Sequence, residues 1–244
     1  GIWTLDQQLQ AQKLGIWPTA GNAYGTVAIF ALGTSPLTRS TTRNKYTFSG
    51  CTSAAATAAT AASTNQSAAG NDTRGIFALG NVTLGASTTR DKYTYSGCVV
   101  SAGAAASSVS NFGSAVGNAT VGIFAVGSLN TIRNKYTYSA CTSVVATASS
   151  LGTCAGSAAG NSTTGIFALG NDPSIPSTTR NKYTYSSCTS ASATAASVPS
   201  YSGTAAGNST VGIFAVGSDC GCTPNATPTR NKYTYSSDTN AVAT

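Results

Sequence analysis

The sequence predicts an all-β protein made of five copies of one module, and three observations support this. An apolar phrase ending in Gly occurs five times, as VAIFALG, RGIFALG, VGIFAVG, TGIFALG and VGIFAVG. A second phrase, RNKYTY or a close variant, also occurs five times. The final Gly of the first phrase stands at 33, 80, 127, 170 and 217, at spacings of 47, 47, 43 and 47 residues. A period of about 20 to 50 residues is typical of solenoids, propellers and arrays.

One module is predicted to contain four short strands, as the stretch 70–107 illustrates. Gly and Asn of its GN favour a tight turn, and the apolar run RGIFALG predicts a buried strand. In the next phrase Arg90 and Lys92 alternate with Tyr93 and Tyr95, as in a strand with two different faces. VVSAGAAAS predicts a third strand, and the stretch leading to the next GN a fourth. Four short antiparallel strands make one propeller blade, so residues 19–244 are predicted to form a five-bladed β-propeller.

Five copies of each phrase suffice for a closed ring. The chain enters the repeats with early strands of one module and leaves them with late strands of another. Closure protects strand edges that otherwise invite aggregation. A β-solenoid stays open as an alternative, although its coils are usually shorter. A helical solenoid is disfavoured, because β-branched and aromatic residues recur at every second position and Gly is frequent.

Residues 1–18 form a separate leader that is predicted to be helical. Thr4 can cap the helix, and Gln7 follows three residues later, as in a capping box. The apolar side chains of the leader either pack the helix against the propeller or dock a partner or a neighbouring subunit; they are Trp3, Leu5, Leu9 and Trp17.

Ten of the thirteen Lys and Arg residues lie in the second phrase, two in each copy. They are Arg43, Lys45, Arg90, Lys92, Arg133, Lys135, Arg180, Lys182, Arg230 and Lys232. One interpretation is structural, with Arg bonding to the neighbouring blade and Lys covering apolar surface. The other is a basic ring that attracts an acidic polysaccharide or lipopolysaccharide phosphate. Nucleic acid is not expected, because the aromatic side chains point to the opposite strand face.

The composition argues against an enzyme. Charged residues make up 8% of the chain, against about 25% in ordinary proteins, and there is no His and no Glu. The six Asp residues show no repeated pairing that would suit a hydrolase. We therefore predict no catalytic site, no metal and no cofactor. The sequence contains no run of about 18 apolar residues, so no membrane span is predicted.

Four of the seven cysteines follow the second phrase at the same offset, at 51, 98, 141 and 188. They are interpreted as small, half-buried residues at a turn. Cys154, Cys220 and Cys222 are additional. A disulfide to Cys220 or Cys222 stays open, because spacing does not identify its partner.

The repeat resembles the kelch repeat: an apolar strand ending in Gly, a loop, then a strand carrying Tyr. The wording AAGNxTxGIFALG…TTRNKYTYS is most similar to the kelch-like repeats of bacteriophage virion proteins and related bacterial proteins. The start, GIWTLDQQLQAQKLGIWP, resembles a short leader of phage structural proteins. The resemblance implies a propeller located in a virion.

The expected function is that of a non-enzymatic virion component, a tail appendage or head decoration. Its expected partners are other virion proteins, copies of itself or host-surface polysaccharide, without a membrane. Recognition is expected in the variable loops at 34–40, 81–87, 128–131, 171–177 and 218–228, where the candidate binding residues are Asn171, Asp172, Asp219 and Asn225. The alternative is a bacterial surface or secreted lectin-like adhesin.

Overall fold

The computed structural model describes residues 26–31, 33–35, 38–172, 175–217 and 228–243. Every regular element in these ranges is a β-strand, which confirms the all-β fold class. The predicted helical leader, residues 1–18, lies outside the described residues. Within the described ranges, no helix has the length and apolar character needed to cross a membrane.

The strands fall into five successive modules. Module 1 contains β1 (Val27–Ala31), β2 (Thr34–Ser35), β3 (Thr38–Arg39), β4 (Arg43–Thr47) and β5 (Thr52–Ala56). Module 2 contains β6 (Ser63–Thr64), β7 (Ser67–Gly70), β8 (Arg74–Ala78), β9 (Asn81–Val82), β10 (Gly85–Ala86), β11 (Arg90–Thr94) and β12 (Val99–Ala102). Module 3 contains β13 (Ser114–Gly117), β14 (Val121–Ala125), β15 (Arg133–Thr137) and β16 (Thr142–Ala146).

Modules 4 and 5 repeat the pattern. Module 4 contains β17 (Ser157–Gly160), β18 (Thr164–Ala168), β19 (Asn171–Asp172), β20 (Ile175–Pro176), β21 (Arg180–Thr184) and β22 (Thr189–Ala193). Module 5 contains β23 (Thr204–Gly207), β24 (Val211–Ala215), β25 (Arg230–Thr234) and β26 (Thr239–Ala243).

Each of modules 2 to 5 forms one four-stranded antiparallel sheet whose strand order follows the chain. Module 1 shows three strands, β1-β4-β5, among the described residues. The first strands of neighbouring sheets contact one another in the succession β7, β13, β17 and β23. The sheets therefore stand side by side with their first strands innermost, in a propeller-like arrangement.

One predicted strand belongs to a different sheet than expected. The stretch before each GN was expected to complete the preceding module, but Ser67–Gly70 pairs with Arg74–Ala78 of its own GN turn. The tight turn makes these two segments a hairpin. The stretch therefore opens the following sheet as its innermost strand.

The apolar phrase is buried on both faces of its strand. In β8, Ile76 and Phe77 point to opposite faces, and both are buried. Ile76 packs with Phe124 and Tyr136 of module 3, whereas Phe77 packs with Ile29 of module 1. A neighbouring sheet covers each face of the strand, and this explains why its sequence is apolar at successive positions.

Pairs of glycines near the innermost turn make room for a tyrosine. Gly117 lies opposite Gly122 in the β13–β14 register. A Cβ on Gly122 would lie 2.7 Å from the Tyr138 hydroxyl and 3.1 Å from the Cβ of Ala69 in module 2. Only glycine fits this space between two modules.

The antiparallel strand order gives each sheet two different ends. The GN turn and the turn that carries the repeated cysteine lie at one end, which we call the turn end. The variable loops and the linkers between modules lie at the other, which we call the loop end. Three of the predicted variable loops contain small hairpins, β2–β3, β9–β10 and β19–β20.

Candidate functional site

The Arg of the second phrase lies between two modules. The side chains of Arg43, Arg90, Arg133 and Arg180 are at most 1% exposed. Each guanidinium stacks on a Phe of the next module, with distances of 4.4 to 4.7 Å from Cζ to the ring centroid. These Phe residues are Phe77, Phe124, Phe167 and Phe214. A desolvated guanidinium over an aromatic face contributes about 2 kcal/mol.

The same guanidinium donates hydrogen bonds to the next module. Arg90 Nη2 donates to Oδ1 of Asn134 at 2.9 Å, and its Nη1 donates to Oγ of Ser143 at 2.7 Å. Oδ1 of Asn134 also accepts the backbone N–H of Ser107, while Nδ2 of Asn134 donates to Oγ of Ser107. We call the set formed by Arg of one module and Phe and Asn (or Asp) of the next a joint.

Two further joints repeat this geometry. Arg133 Nη2 donates to Asn181 and its Nη1 to Ser190, while Ser150 pairs with the same Asn. Arg180 donates to Asn231 and Asn240, with Ser197 in the place of Ser150. The fork of Arg is needed here, since Lys has one nitrogen and cannot bridge two acceptors in this way.

The joint between modules 1 and 2 differs at both acceptor positions. Arg43 Nη2 forms a buried ion pair with Asp91 at 2.8 Å, where the other joints have Asn. Val100 occupies the place that Ser143 has in module 3, and Nη1 of Arg43 has no hydrogen-bond partner within the described chain. Among the four described joints, the one with the charged acceptor Asp91 is therefore the one without a Ser or Asn at the second acceptor position.

Burial affects the acid–base behaviour of the joints. Desolvation lowers the pKa of Arg90, Arg133 and Arg180 to about 10, so all three remain cationic at neutral pH. Burial also raises the pKa of the Tyr93 phenol to about 12. The four inner guanidinium groups carry charge, but their donors are directed into the protein.

The Lys side chains of the same strand face the repeated cysteines of the next module. Lys135 Nζ lies 3.1 Å from Sγ of Cys188, and Lys92 Nζ lies 3.8 Å from Sγ of Cys141. Both lysines are half-buried, as are Lys45 and Lys182. Arg230 and Lys232 of module 5 differ, because their side chains are exposed.

The repeated cysteines occupy a turn position with positive φ. Cys51, Cys98, Cys141 and Cys188 have φ between 50° and 55°, and Asp238 has 52° at the same place. All four thiols are free, as is that of Cys154, and burial raises the pKa of Cys154. Cys220 and Cys222 lie outside the described residues.

At the turn end, the Asn of three GN turns connects two modules. Oδ1 of Asn118 accepts the backbone N–H groups of Thr120 and Val121 and so closes its own hairpin. Its Nδ2 donates to the carbonyl of Ser162 in module 4 at 2.9 Å. Asn71 and Asn161 make the corresponding bonds.

The loop end has one residue per linker with the same backbone conformation but a different side chain. These residues are Asn65, Phe112, Ala155 and Ser202, with φ between 51° and 56°. The backbone N–H of Ala155 donates to the carbonyl of Phe112, and that of Ser202 to the carbonyl of Ala155. Backbone hydrogen bonds join the linkers at Phe112, Ala155 and Ser202, whereas Nδ2 of Asn65 donates to Oδ1 of Asn111 in the next linker.

Apolar side chains project from this end. Leu84 at the tip of the β9–β10 hairpin is 98% exposed, Leu129 is 46% exposed and Phe112 is 37% exposed. The backbone N–H of Ser128, next to Leu129, donates to the carbonyl of Asn111, next to Phe112. Phe112 and Leu129 therefore stand on adjoining segments.

A cavity of about 560 Å³ is lined by all five modules. Module 1 contributes strand β1 and Phe48, and the later modules contribute the segments around Asn71, Asn118, Asn161 and Asn208. The GN turns therefore surround one common space.

The predicted loop candidates of module 4 lie within the described residues. Asn171 and Asp172 form β19 in the hairpin of module 4. The remaining candidates lie outside the described residues; they are Trp3, Leu5, Leu9, Trp17, Asp219 and Asn225. Sequence reasoning missed the Asn and Phe partners of Arg, although both repeat in every copy of RNKYTY and GIFA except for Asp91.

Comparison with known proteins returned no match, either among protein-family models or among curated proteins.

Proposed function

We propose that the five modules are the five blades of a propeller, and that this propeller is a non-enzymatic structural and binding component of a bacteriophage virion. Its loop end is the recognition surface, and its partner is another virion protein or a host-surface glycan. The joints and the Asn hydrogen bonds of the turn end hold the blades together.

The observation that carries the proposal is the contrast between backbone and side chain in the linkers. Asn65, Phe112, Ala155 and Ser202 share one conformation, yet an amide, a phenyl ring, a methyl group and a hydroxyl occupy it. A rigid scaffold with variable side chains at one end is the arrangement by which loops carry binding. The exposed Leu84 and Leu129 extend the same surface.

The virion assignment rests on the resemblance of the repeats and of the leader to those of phage structural proteins. The chain's composition is compatible with it. Only 8% of the residues are charged, and Ala, Gly, Ser and Thr dominate the repeats, as suits a durable particle surface.

A glycan array of bacterial surface polysaccharides tests the binding claim. The variant Phe112→Asn/Leu129→Asn changes the loop end and keeps residues that accept positive φ. Val145→Thr on β16 is a matched control, since Val145 is 66% exposed on an outer strand. We expect the native chain and the control to bind the same glycans and the loop-end variant to lose at least tenfold in affinity.

Antibody labelling of purified phage particles under the electron microscope tests the location. Label on the tail or the head supports the virion role. Glycan binding without label on particles would favour a bacterial adhesin. Equal binding by the native chain, the control and the loop-end variant would exclude the loop end as the recognition surface.

A further inference from the structure

Within the described part of the chain, modules 1 and 5 each have one face that is not covered by a neighbouring sheet, and these two faces differ from those between modules. Phe30 in β1 is 55% exposed, whereas its counterparts Phe77, Phe124, Phe167 and Phe214 are at most 4% exposed. Asn44 of the same face is half-buried, whereas Asp91, Asn134, Asn181 and Asn231 are at most 1% exposed. Module 1 therefore has the accepting half of a joint without a guanidinium on it.

Module 5 has the opposite half. Arg230 is exposed, although Arg43, Arg90, Arg133 and Arg180 are buried. Ile213 in β24 is half-buried, whereas Ile76, Ile123 and Ile166 at the same position are fully buried. The donor half of a joint and its apolar surroundings are thus present without a partner sheet among the described residues.

The two faces match one another residue by residue. Asn44 stands where Asn134 accepts Nη2, and Ser53 stands opposite Tyr46 as Ser143 stands opposite Tyr136. Cys51 occupies the turn position that Lys side chains approach in the inner joints, where Lys135 meets Cys188. If module 5 docks on module 1, a contact that we call the seam, the residue that approaches Cys51 is Lys232.

The position of the two modules favours a partner within the same chain. Strand β1 of module 1 and Gly207 and Asn208 of module 5 line the same cavity. A tether within one chain raises the effective concentration of one face at the other to millimolar values, which a second chain does not reach in dilute solution.

We propose that the Arg230 face of module 5 docks on the Phe30 face of module 1 of the same chain and forms a fifth joint. In it Arg230 stacks on Phe30 and donates to Asn44 and Ser53, and Lys232 approaches Cys51. The inference rests on the proposed five-bladed propeller, and it names the surfaces at which that propeller closes.

Cross-linking with a short reagent that joins an amine to a thiol tests the seam. In dilute full-length chain, we expect mass spectrometry to find a Lys232–Cys51 link in monomeric protein. Its yield should be within about threefold of the Lys92–Cys141 and Lys135–Cys188 links, which serve as internal standards. Lys232→Arg keeps the charge, removes the reactive amine and should abolish that link alone.

A link found only in cross-linked dimers, or no Lys232–Cys51 link beside strong internal standards, would overturn the proposal. Equilibrium unfolding gives a second readout. Arg230→Met should lower the urea midpoint by at least half as much as Arg133→Met, whereas an unchanged midpoint would show that the end faces stay apart. Neither readout depends on a ligand, so glycan binding and seam closure can fail independently.

Discussion

The turn end and the loop end of the modules differ in whether the same side chain recurs from one module to the next. At the turn end the same residue, Asn, closes every described GN hairpin, at 71, 118, 161 and 208. At the loop end Asn65, Phe112, Ala155 and Ser202 share a backbone conformation but have four different side chains. Asn118 at the turn end contacts the neighbouring module through its side chain, whereas the linkers at Phe112, Ala155 and Ser202 do so through their backbone. The side chain differs at the three linker positions where the backbone makes the contact between modules.

The largest effect is expected where a joint holds a buried charge. Arg43→Met leaves Asp91 as a buried carboxylate without its counter-ion, which costs about 3–5 kcal/mol. Arg133→Met leaves only a neutral amide, Asn181, with one donor fewer, and should cost about 1–3 kcal/mol. Urea unfolding of the two variants measures the difference.

Equal losses in the two variants would mean that Asp91 and Asn181 have the same role. A loss below about 0.5 kcal/mol in both, the range of an ordinary surface substitution, would contradict the framework role of the joints.

The next effect is expected from crowding between modules near the turn end. The Cβ introduced by Gly122→Ala would lie 2.7 Å from the Tyr138 hydroxyl and 3.0 Å from the Phe124 ring. Overpacking of this kind costs about 1–3 kcal/mol. Gly50→Ala is the matched control, because its Cβ would lie 3.5 Å from the nearest atom. Melting temperatures should fall for the first variant and stay unchanged for the second.

The comparison of the two ends is tested directly by one substitution at each. Asn118→Ala removes the turn acceptor and the bond to the Ser162 carbonyl, and should cost about 1 kcal/mol, as loss of a hydrogen-bonded group does. Phe112→Asn should change the free energy of unfolding by no more than about 0.5 kcal/mol. The reverse order of the two losses would remove the distinction between framework and variable surface.

The smallest effect is expected for Tyr138→Phe. The Tyr138 hydroxyl is buried and has no hydrogen-bond partner in the described chain, so its removal should change stability at neutral pH by less than about 0.5 kcal/mol. Burial raises the pKa of this phenol above its usual value of 10.0. The buried phenol therefore lowers the free energy of unfolding only as the pH rises beyond 10.0, because the unfolded chain ionises there and the folded chain does not. The variant should therefore resist alkali better than the native chain, and equal alkaline unfolding would contradict burial of Tyr138.

Much of this framework follows from local patterns. The alternation of Arg90 and Lys92 with Tyr93 predicts which side chains share a strand face, and the structure shows Arg90 and Lys92 both directed to module 3. The joints could not be predicted in the same way, because Arg90 and Asn134 are 44 residues apart and periodicity does not specify how sheets dock. The strand before each GN was placed in the wrong sheet for a related reason, since a strand pattern does not identify its pairing partner.

The loop end was least accessible to sequence reasoning. Phe112 and Ala155 are unlike side chains, and their shared positive φ is visible only in the structure, although a Gly follows each of them, at 113 and 156. The hairpin at 81–86 was expected to be an irregular loop, because NVTLGA carries no strong strand signal.

The inner Arg residues act between modules through two hydrogen-bond donors and ring stacking rather than as a source of charge. Arg133→Lys separates the two roles, because Lys keeps the positive charge but cannot bridge Asn181 and Ser190 while stacking on Phe167. Urea unfolding should show a loss of about 1–3 kcal/mol, close to that of Arg133→Met. A stability within about 0.5 kcal/mol of the native chain would show that charge alone is needed there, and would contradict the joint.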